Sequence, residues 1–202
     1  MRMESPAFVR NKEPIAQAMR LVMPTPAVVL ELGSGPGQHA CYLAKALGVA
    51  RWYPSELSAE RMDSIRGWRA LERVEGLVAE PRVLDLLSER WWSSVKVEAL
   101  NVIVAINVVH IVSWSGVCAL LEGAGQLLSE GGVLYLYGPY RYQERALEPS
   151  NEAFDQSLRA QLPGAGNKVF EEIVAQASAH GLELLSDEAM PANNRSLSFR
   201  KG

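Results

Sequence analysis

Two kinds of hydrophobic pattern alternate along the chain. Short apolar runs bounded by turn residues are typical of strands buried in a parallel sheet, and segments with apolar residues at helical spacing lie between them. The apolar runs that predict strands cover residues 27–32, 49–56, 77–87, 99–107, 133–137, 182–188 and 196–200. The helical patterns cover residues 14–23, 38–47, 58–73, 113–128, 151–162 and 170–180. In the helix at residues 151–162, Phe154 and Leu158 are expected to face the core. This alternation predicts an α/β fold with helices on both faces of a mostly parallel sheet.

The last two predicted strands are connected differently from the others. The connection between them contains Pro191-Ala192-Asn193-Asn194 and is too short for a helical crossover. Two strands joined in this way must be antiparallel neighbours. The pattern therefore predicts five strand–helix units followed by an antiparallel hairpin, within one domain covering residues 1–202.

Composition and charge narrow the class of protein. A chain of 202 residues with 48% hydrophobic residues can bury a sizeable core, and a net charge of −3 gives no electrostatic reason to expect nucleic acid or an anionic membrane as a partner. Cys41 and Cys118 both fall in helical patterns and are interpreted as buried free thiols of a reducing compartment. No run of about 20 apolar residues is present, so we expect a cytoplasmic protein.

A glycine-rich turn follows the first predicted strand. It begins at Glu31 and continues as Leu32-Gly33-Ser34-Gly35-Pro36-Gly37. Glycine lets the backbone take positive φ and lets a ligand lie directly against it. The dinucleotide fingerprint needs a glycine where Gln38 stands, and the lysine of the Walker phosphate loop is absent. The remaining pattern, E-x-G-x-G-x-G, resembles the first motif of class I S-adenosylmethionine-dependent methyltransferases; a plain glycine-rich turn or a degenerate nucleotide site is the alternative.

Polar residues follow the other predicted strands at the same edge of the sheet, because the carboxyl ends of parallel strands share one rim. Glu56 lies 23 residues beyond Gly33, where a carboxylate can accept both hydroxyls of a ribose; a helix-capping acid is the alternative. Asp85 follows the third strand and could accept a hydrogen bond from an adenine amine, or could be a turn residue. Residues 107–110, 138–141 and 191–194 are predicted on the same rim.

Several segments together resemble one family within this superfamily, the methyltransferase-like proteins of the domain of unknown function 938, which are similar to the methyltransferase-like 26 group. The resemblance covers about residues 5–200 and rests on residues 10–15, 33–39, 54–56, 107–111, 137–139, 151–155 and 190–194. It implies a Rossmann-like fold with seven strands in the order 3-2-1-4-5-7-6. One departure is Glu56, where such proteins often have Asp.

The resemblance implies S-adenosylmethionine as the cofactor and S-adenosylhomocysteine as its product. The residues expected to bind it are Arg10, Asn11, Glu31, Gly33, Ser34, Gly35, Gly37, Glu56, Leu57, Asp85, Leu86 and Asn107. Arg10 would neutralise the carboxylate of the ligand, within an N-terminal lid or helix at residues 1–26. The alternative for residues 10–13 is a solvated helix start.

Candidate residues for the chemistry follow the fourth and fifth strands and the hairpin. His110 is the best-placed base, since the unperturbed pKa of histidine lies near working pH, although a structural histidine is the alternative. Tyr140 and Asn194 are expected to orient the acceptor, and residues 141–168 are a possible cover of the site. No metal site is predicted, because clustered acids are absent there.

The sequence therefore predicts methyl transfer to a small-molecule acceptor that the residues do not identify. Adenine-N6 methylation of nucleic acid is disfavoured, because Asn107-Val108-Val109-His110 replaces the Asn/Asp-Pro-Pro-aromatic run of those enzymes. A protein that binds the cofactor or a partner without turnover is the second hypothesis. An NAD(P)-dependent oxidoreductase is a third, disfavoured by Gln38 and the final hairpin. The oligomeric state is left open.

Overall fold

The computed structural model describes residues 2–202, which form six strands and six α-helices. The strands are β1 Val28–Glu31, β2 Arg51–Pro54, β3 Val102–Ile106, β4 Val133–Gly138, β5 Leu182–Met190 and β6 Asn194–Lys201. The helices are α1 Pro6–Val22, α2 Gln38–Leu47, α3 Ala59–Glu72, α4 Trp114–Leu127, α5 Pro149–Gln161 and α6 Phe170–Ala179. Short 3-10 turns lie at Trp91–Ser94 and Pro191–Asn193. The element order confirms the predicted α/β alternation.

The strands form one mixed sheet in the order β2-β1-β3-β4-β6-β5. The pairs β1–β2, β1–β3 and β3–β4 are parallel, and β6 is antiparallel to both β4 and β5. The predicted Rossmann-like sheet with a final antiparallel hairpin is therefore confirmed. Because β2 and β3 lie on opposite sides of β1, the direction of winding reverses there, and ligands of open α/β sheets bind at such a switch point.

The predicted third strand is present only in rudimentary form. Residues 77–87 pair with β2 through two isolated parallel bridges, Trp52–Val78 and Ser55–Arg82. Pro81 stands between these bridges and has no backbone N–H to donate to a ladder. The described sheet therefore has six strands rather than seven, although residues 77–87 occupy the edge position that the predicted order gives to the third strand.

Helix α1 begins eight residues earlier than predicted. It starts at Pro6 and carries Pro14 in its interior. A proline suits the first helical turn, and an internal proline removes one hydrogen bond. Burial of Ile15 and Met19, both 0% exposed, offsets that loss. As a result Arg10 and Asn11 lie on a helix rather than in a segment before it.

Helix α5 turns a polar face inward, contrary to the prediction that Phe154 points to the core. Phe154 is 42% exposed, whereas Asn151 and Asp155 are buried. Both buried side chains have partners: Asn151 donates to the carbonyl of Asn193 at 3.0 Å, and Asp155 accepts from Nε of Arg159 at 2.7 Å. Buried polar groups are stable when they are hydrogen-bonded in this way.

Strand β3 divides the core into two layers. All five of its residues are buried. Ile103 and Ala105 pack on the face that contains residues of α4 and α6, while Val102, Val104 and Ile106 pack on the face that contains residues of α1 and α2. This agrees with the prediction of a central strand covered on both faces. Between residues 2 and 202, the structure contains no helix with the length and apolar character needed to cross a membrane.

Candidate functional site

The glycine turn after β1 has one open position. Gly33, Gly35 and Gly37 all have positive φ, at +66°, +55° and +93°. A Cβ added at Gly33 would lie 2.8 Å from Val108, and one at Gly37 would lie 2.7 Å from Ile65. A Cβ at Gly35 would meet nothing within 4 Å. The outer glycines are therefore needed for packing, and Gly35 is the place where a ligand can lie against the backbone.

Glu56 lies beside this open peptide, directly after β2. Its carboxylate accepts a hydrogen bond from the Gly35 amide at 2.9 Å and another from the Leu57 amide at 2.8 Å, and Arg61 lies 3.6 Å away. The parallel register that pairs Glu31 with Pro54 brings the turn and the acid together. The residue is only 7% exposed. The Ser58 amide also donates, at 3.4 Å, to the oxygen that accepts from Leu57. Because each carboxylate oxygen has two lone pairs, an acceptor position remains for a ligand on Oε2, the oxygen that accepts from Gly35.

Glu31 lies beneath the turn and is almost completely buried. Its pKa is raised to about 7, mainly by burial; hydrogen bonds from Ser34 and Trp52 oppose the rise, and the negative charge of Glu56 adds to it. The indole N–H of Trp52 donates to its carboxylate at 3.1 Å. The hydroxyl of Ser34 accepts from the Ser55 amide at 3.1 Å. Glu31 and Ser34 therefore support the turn from below.

The end of β3 adjoins the turn. Asn107 adopts positive φ, at +58°, and its backbone N–H donates to the carbonyl of Tyr137 at 2.8 Å. A short asparagine side chain tolerates this left-handed conformation better than most residues. The next residue, Val108, is the one that contacts Gly33. Asn107 thus follows the strand next to β1 at the switch point.

A cavity of about 440 Å³, here called the main cavity, opens between α1, α5, the end of β3 and the β5–β6 connection. It brings together five of the predicted site residues: Arg10, Asn11, Asn107, His110 and Asn194. Its other walls are formed by Ser5, Ala7, Tyr137, Pro139, Asn151, Phe154, Pro191 and Ala192. Arg10 is the only Lys, Arg, Asp or Glu among these residues. The cavity size is typical of small-molecule sites.

His110 is a buried residue in the wall of the main cavity. Burial, together with a smaller effect of the charge of Lys168, lowers its pKa to about 4. Its Nδ1 has no hydrogen-bond partner, and its ring meets that of Phe154 edge-on at 5.6 Å. The Gly166 amide donates to its carbonyl at 2.9 Å, which fixes its backbone. The imidazole is therefore neutral at pH 7 and has a free nitrogen.

Asn11 is held in the cavity wall by a histidine of α2, His39. Nε2 of His39 lies 2.8 Å from Oδ1 of Asn11, and burial lowers the pKa of His39 to about 4. The ring of Phe8 packs edge-on against His39 at 5.2 Å. These residues come from α1 and α2, so the pairing depends on helix packing and leaves no local signal in the sequence.

Apart from Glu56 and the residues of the glycine turn, four predicted site residues do not line the main cavity. Asp85 accepts a hydrogen bond from the Leu87 amide at 2.9 Å and so closes its own turn. Leu57 is 57% exposed, and Leu86 packs against the core. Tyr140 is buried and lines a different cavity, where its hydroxyl has no partner and burial raises its pKa. The proposed contacts of Asp85, Leu57 and Leu86 with a cofactor remain predictions.

Solved structures of methyltransferases share this fold. An O-methyltransferase family protein from Burkholderia thailandensis has 16% identity and a TM-score of 0.82, over 97% of this chain and 57% of that one. Human N-acetylserotonin methyltransferase, solved with SAM, has 12% identity and a TM-score of 0.74, over 97% and 53%. An O-methyltransferase family 2 protein from Planctomyces limnophilus, solved with apigenin, has 13% identity and a TM-score of 0.74, over 95% and 62%.

These similarities define the class of protein as a class I methyltransferase fold, and the chain spans a little over half the length of those structures. Residues 2–201 match the model of the family described as "Protein of unknown function (DUF938)". The chain therefore belongs to the DUF938 family, as the sequence resemblance predicted.

Replacing Glu31 with Gln tests the environment beneath the turn. A carboxyl with a raised pKa favours folding while it is protonated. That stability is fully present below its unfolded pKa of about 4.5 and is lost as pH rises through about 7. Glutamine does not titrate, so Glu31→Gln does not lose this stability. The unfolding free energy of Glu31→Gln minus that of wild type should therefore be about 3 kcal/mol larger at pH 7.5 than at pH 4.5. Urea unfolding at both pH values measures the difference.

The matched control is Glu130→Gln, which removes an exposed acid. Its unfolding free energy should follow the wild-type pH dependence. A constant difference between wild type and Glu31→Gln at the two pH values would contradict the raised pKa.

Proposed function

We propose that this protein transfers a methyl group from S-adenosylmethionine to a small-molecule acceptor. The observation that carries the proposal is the open peptide of Gly35 next to the Glu56 carboxylate, at the switch point of the sheet. A dinucleotide-binding protein would need a third glycine where Gln38 stands. The methyltransferase fold and the solved relative that contains SAM support the same ligand.

The residues of the turn fit the chemistry of this cofactor. The methionine part would lie on the Gly35 backbone, and the ribose would donate a hydrogen bond to the Glu56 carboxylate at Oε2. Arg10 lines the main cavity and would neutralise the ligand's carboxylate. Asp85 would accept a hydrogen bond from the adenine amine. When bound, the cofactor supplies a methyl group on a positively charged sulfur, which a nucleophile displaces in line.

The main cavity would hold the acceptor and align it. Alignment supplies much of the rate in such a displacement, because little further chemistry is required of the protein. Asn107 and Asn194 offer amide groups to hydrogen-bond the acceptor. His110, which lines the cavity and is neutral at pH 7, would take the proton that the acceptor loses. Helix α1 and residues 141–168 would cover the site.

Substitution at Gly35 tests whether the open peptide binds the cofactor. Gly35→Ala and Gly48→Ala are a matched pair, because both positions have positive φ and neither added Cβ meets an atom within 4 Å. Each should cost about 1–2 kcal/mol of stability through backbone strain. Only Gly35→Ala places a methyl group in the ligand's position, so it alone should lose S-adenosylhomocysteine binding in calorimetry. Equal affinities of the two variants would contradict the proposal.

His110→Ala tests the proposed base. Incorporation of labelled methyl into a panel of metabolites should fall about 100-fold or more, while the affinity for S-adenosylhomocysteine stays within about two-fold. In the wild-type protein, the decrease of kcat/KM at acid pH should have its midpoint nearer pH 4 than pH 6.5, because burial lowers the pKa of His110.

His180→Ala is the control, since His180 lies at the end of α6 and contacts Gln176 at 3.1 Å. Full methylation by His110→Ala would exclude this base. S-adenosylhomocysteine binding without turnover of any metabolite would favour the non-catalytic binding protein, and NAD(P) binding would favour an oxidoreductase.

A further inference from the structure

A second cavity of about 180 Å³, here called the side cavity, adjoins the main cavity. Asn151 and Asn194 line both. The side cavity is formed by the segment after β4, the start of α5 and the ends of β5 and β6. None of the proposed cofactor contacts uses it. A molecule that is bound in the main cavity can therefore extend into the side cavity.

Arg145 supplies an unneutralised charge to the side cavity. Its guanidinium lies over the ring of Tyr142, 5.0 Å from the centroid. Among residues 2–202, no carboxylate lies within 4.0 Å of it. Arg195 lies over the same ring at 5.7 Å, but it is paired with Asp187 at 2.6 Å. The five N–H donors of Arg145 are therefore available to a ligand.

Two carboxylates lie in or near the side cavity, and only one of them is paired. Asp187 is already engaged by Arg195 and by the hydroxyl of Tyr142, which donates to it at 2.7 Å. Glu148 is the one carboxylate that lines the cavity, and it is exposed at the start of α5 without an ion pair in the described structure. Glu148 would weaken the binding of an anion, so its removal should strengthen that binding.

We propose that the side cavity binds an anionic group of the methyl acceptor, a carboxylate or a phosphate, through Arg145. The atom that receives the methyl group would then lie in the main cavity near His110. This inference rests on the proposed function. Asn151 and Asn194 line both cavities, so one acceptor molecule can occupy both. Arg10 is the only charged residue that lines the main cavity, and it is assigned to the cofactor, so the acceptor's anionic group needs another cation. A planar guanidinium suits both carboxylate and phosphate oxygens.

The test is an NMR titration of the full-length, isotope-labelled chain with sodium acetate, sodium phosphate and acetamide at constant ionic strength. Acetate or phosphate should shift the backbone amides of Arg145 and Asn194, and uncharged acetamide should not. Arg145→Gln should weaken the anion about five-fold or more, and Glu148→Gln should tighten it about two-fold. Arg200→Gln, an exposed arginine on β6 that lines neither cavity, should leave it unchanged.

The pattern of results separates this inference from the proposed function. Tighter acetate than phosphate identifies a carboxylate acceptor, and the reverse identifies a phosphate acceptor; either supports the site. Equal binding of acetamide and acetate, or wild-type affinity in Arg145→Gln, overturns it. S-adenosylhomocysteine binding is measured on the same samples. Anion binding without any S-adenosylhomocysteine binding would overturn the assignment of that anion to a methyl acceptor.

Discussion

The hydrogen bond from the Gly35 amide to the Glu56 carboxylate joins the turn after β1 to the end of β2. Two further bonds reinforce the connection: the Ser34 amide donates to the carbonyl of Ser55 at 2.8 Å, and the Ser55 amide donates to that of Glu31 at 3.0 Å. The glycine turn is therefore a continuation of the parallel ladder. This continuity keeps the Gly35 peptide open to a ligand and places a carboxylate beside it.

Two buried acids lie close together at this turn, and their surroundings differ. Glu31 has no access to solvent, and burial raises its pKa to about 7, so it is partly protonated near neutral pH. The Glu56 carboxylate accepts hydrogen bonds from the backbone amides of Gly35, Leu57 and Ser58, and it lies 3.6 Å from Arg61. One acid thus supports the turn from below, while the other lies beside the Gly35 peptide, where ribose hydroxyls would donate to it.

Much of the fold follows from local sequence patterns. The structure differs from the prediction where tertiary contacts determine the local conformation. The apolar runs predict β1 to β4, and the short connection at residues 191–194 predicts the antiparallel hairpin. The third strand is reduced because Pro81 interrupts its pairing with β2. Helix α1 extends through Pro14 because the packing of Ile15 and Met19 outweighs one lost hydrogen bond.

The sequence likewise predicts part of the candidate site, and tertiary contacts determine the rest. Shared strand direction predicts that Asn107, His110 and Asn194 meet, and the structure places them in one cavity. The partners of Asp155 come partly from the segment after α5, so apolar spacing alone assigned Phe154 to the wrong face. The alternating direction of side chains after β4 likewise cannot be read from sequence spacing, and Tyr140 lies in the side cavity.

The proposed function depends on recognition of the cofactor's ribose by the carboxylate of Glu56. The most direct measurement compares the S-adenosylhomocysteine affinity of wild type, Glu56→Gln and Glu60→Gln by calorimetry, with circular dichroism as a check of folding. Glu60 is an exposed acid in the first turn of α3. We predict that Glu56→Gln binds about ten-fold or more weakly, since a charged acceptor is replaced by a neutral one, and that Glu60→Gln binds like wild type. Unchanged affinity in folded Glu56→Gln would contradict the account.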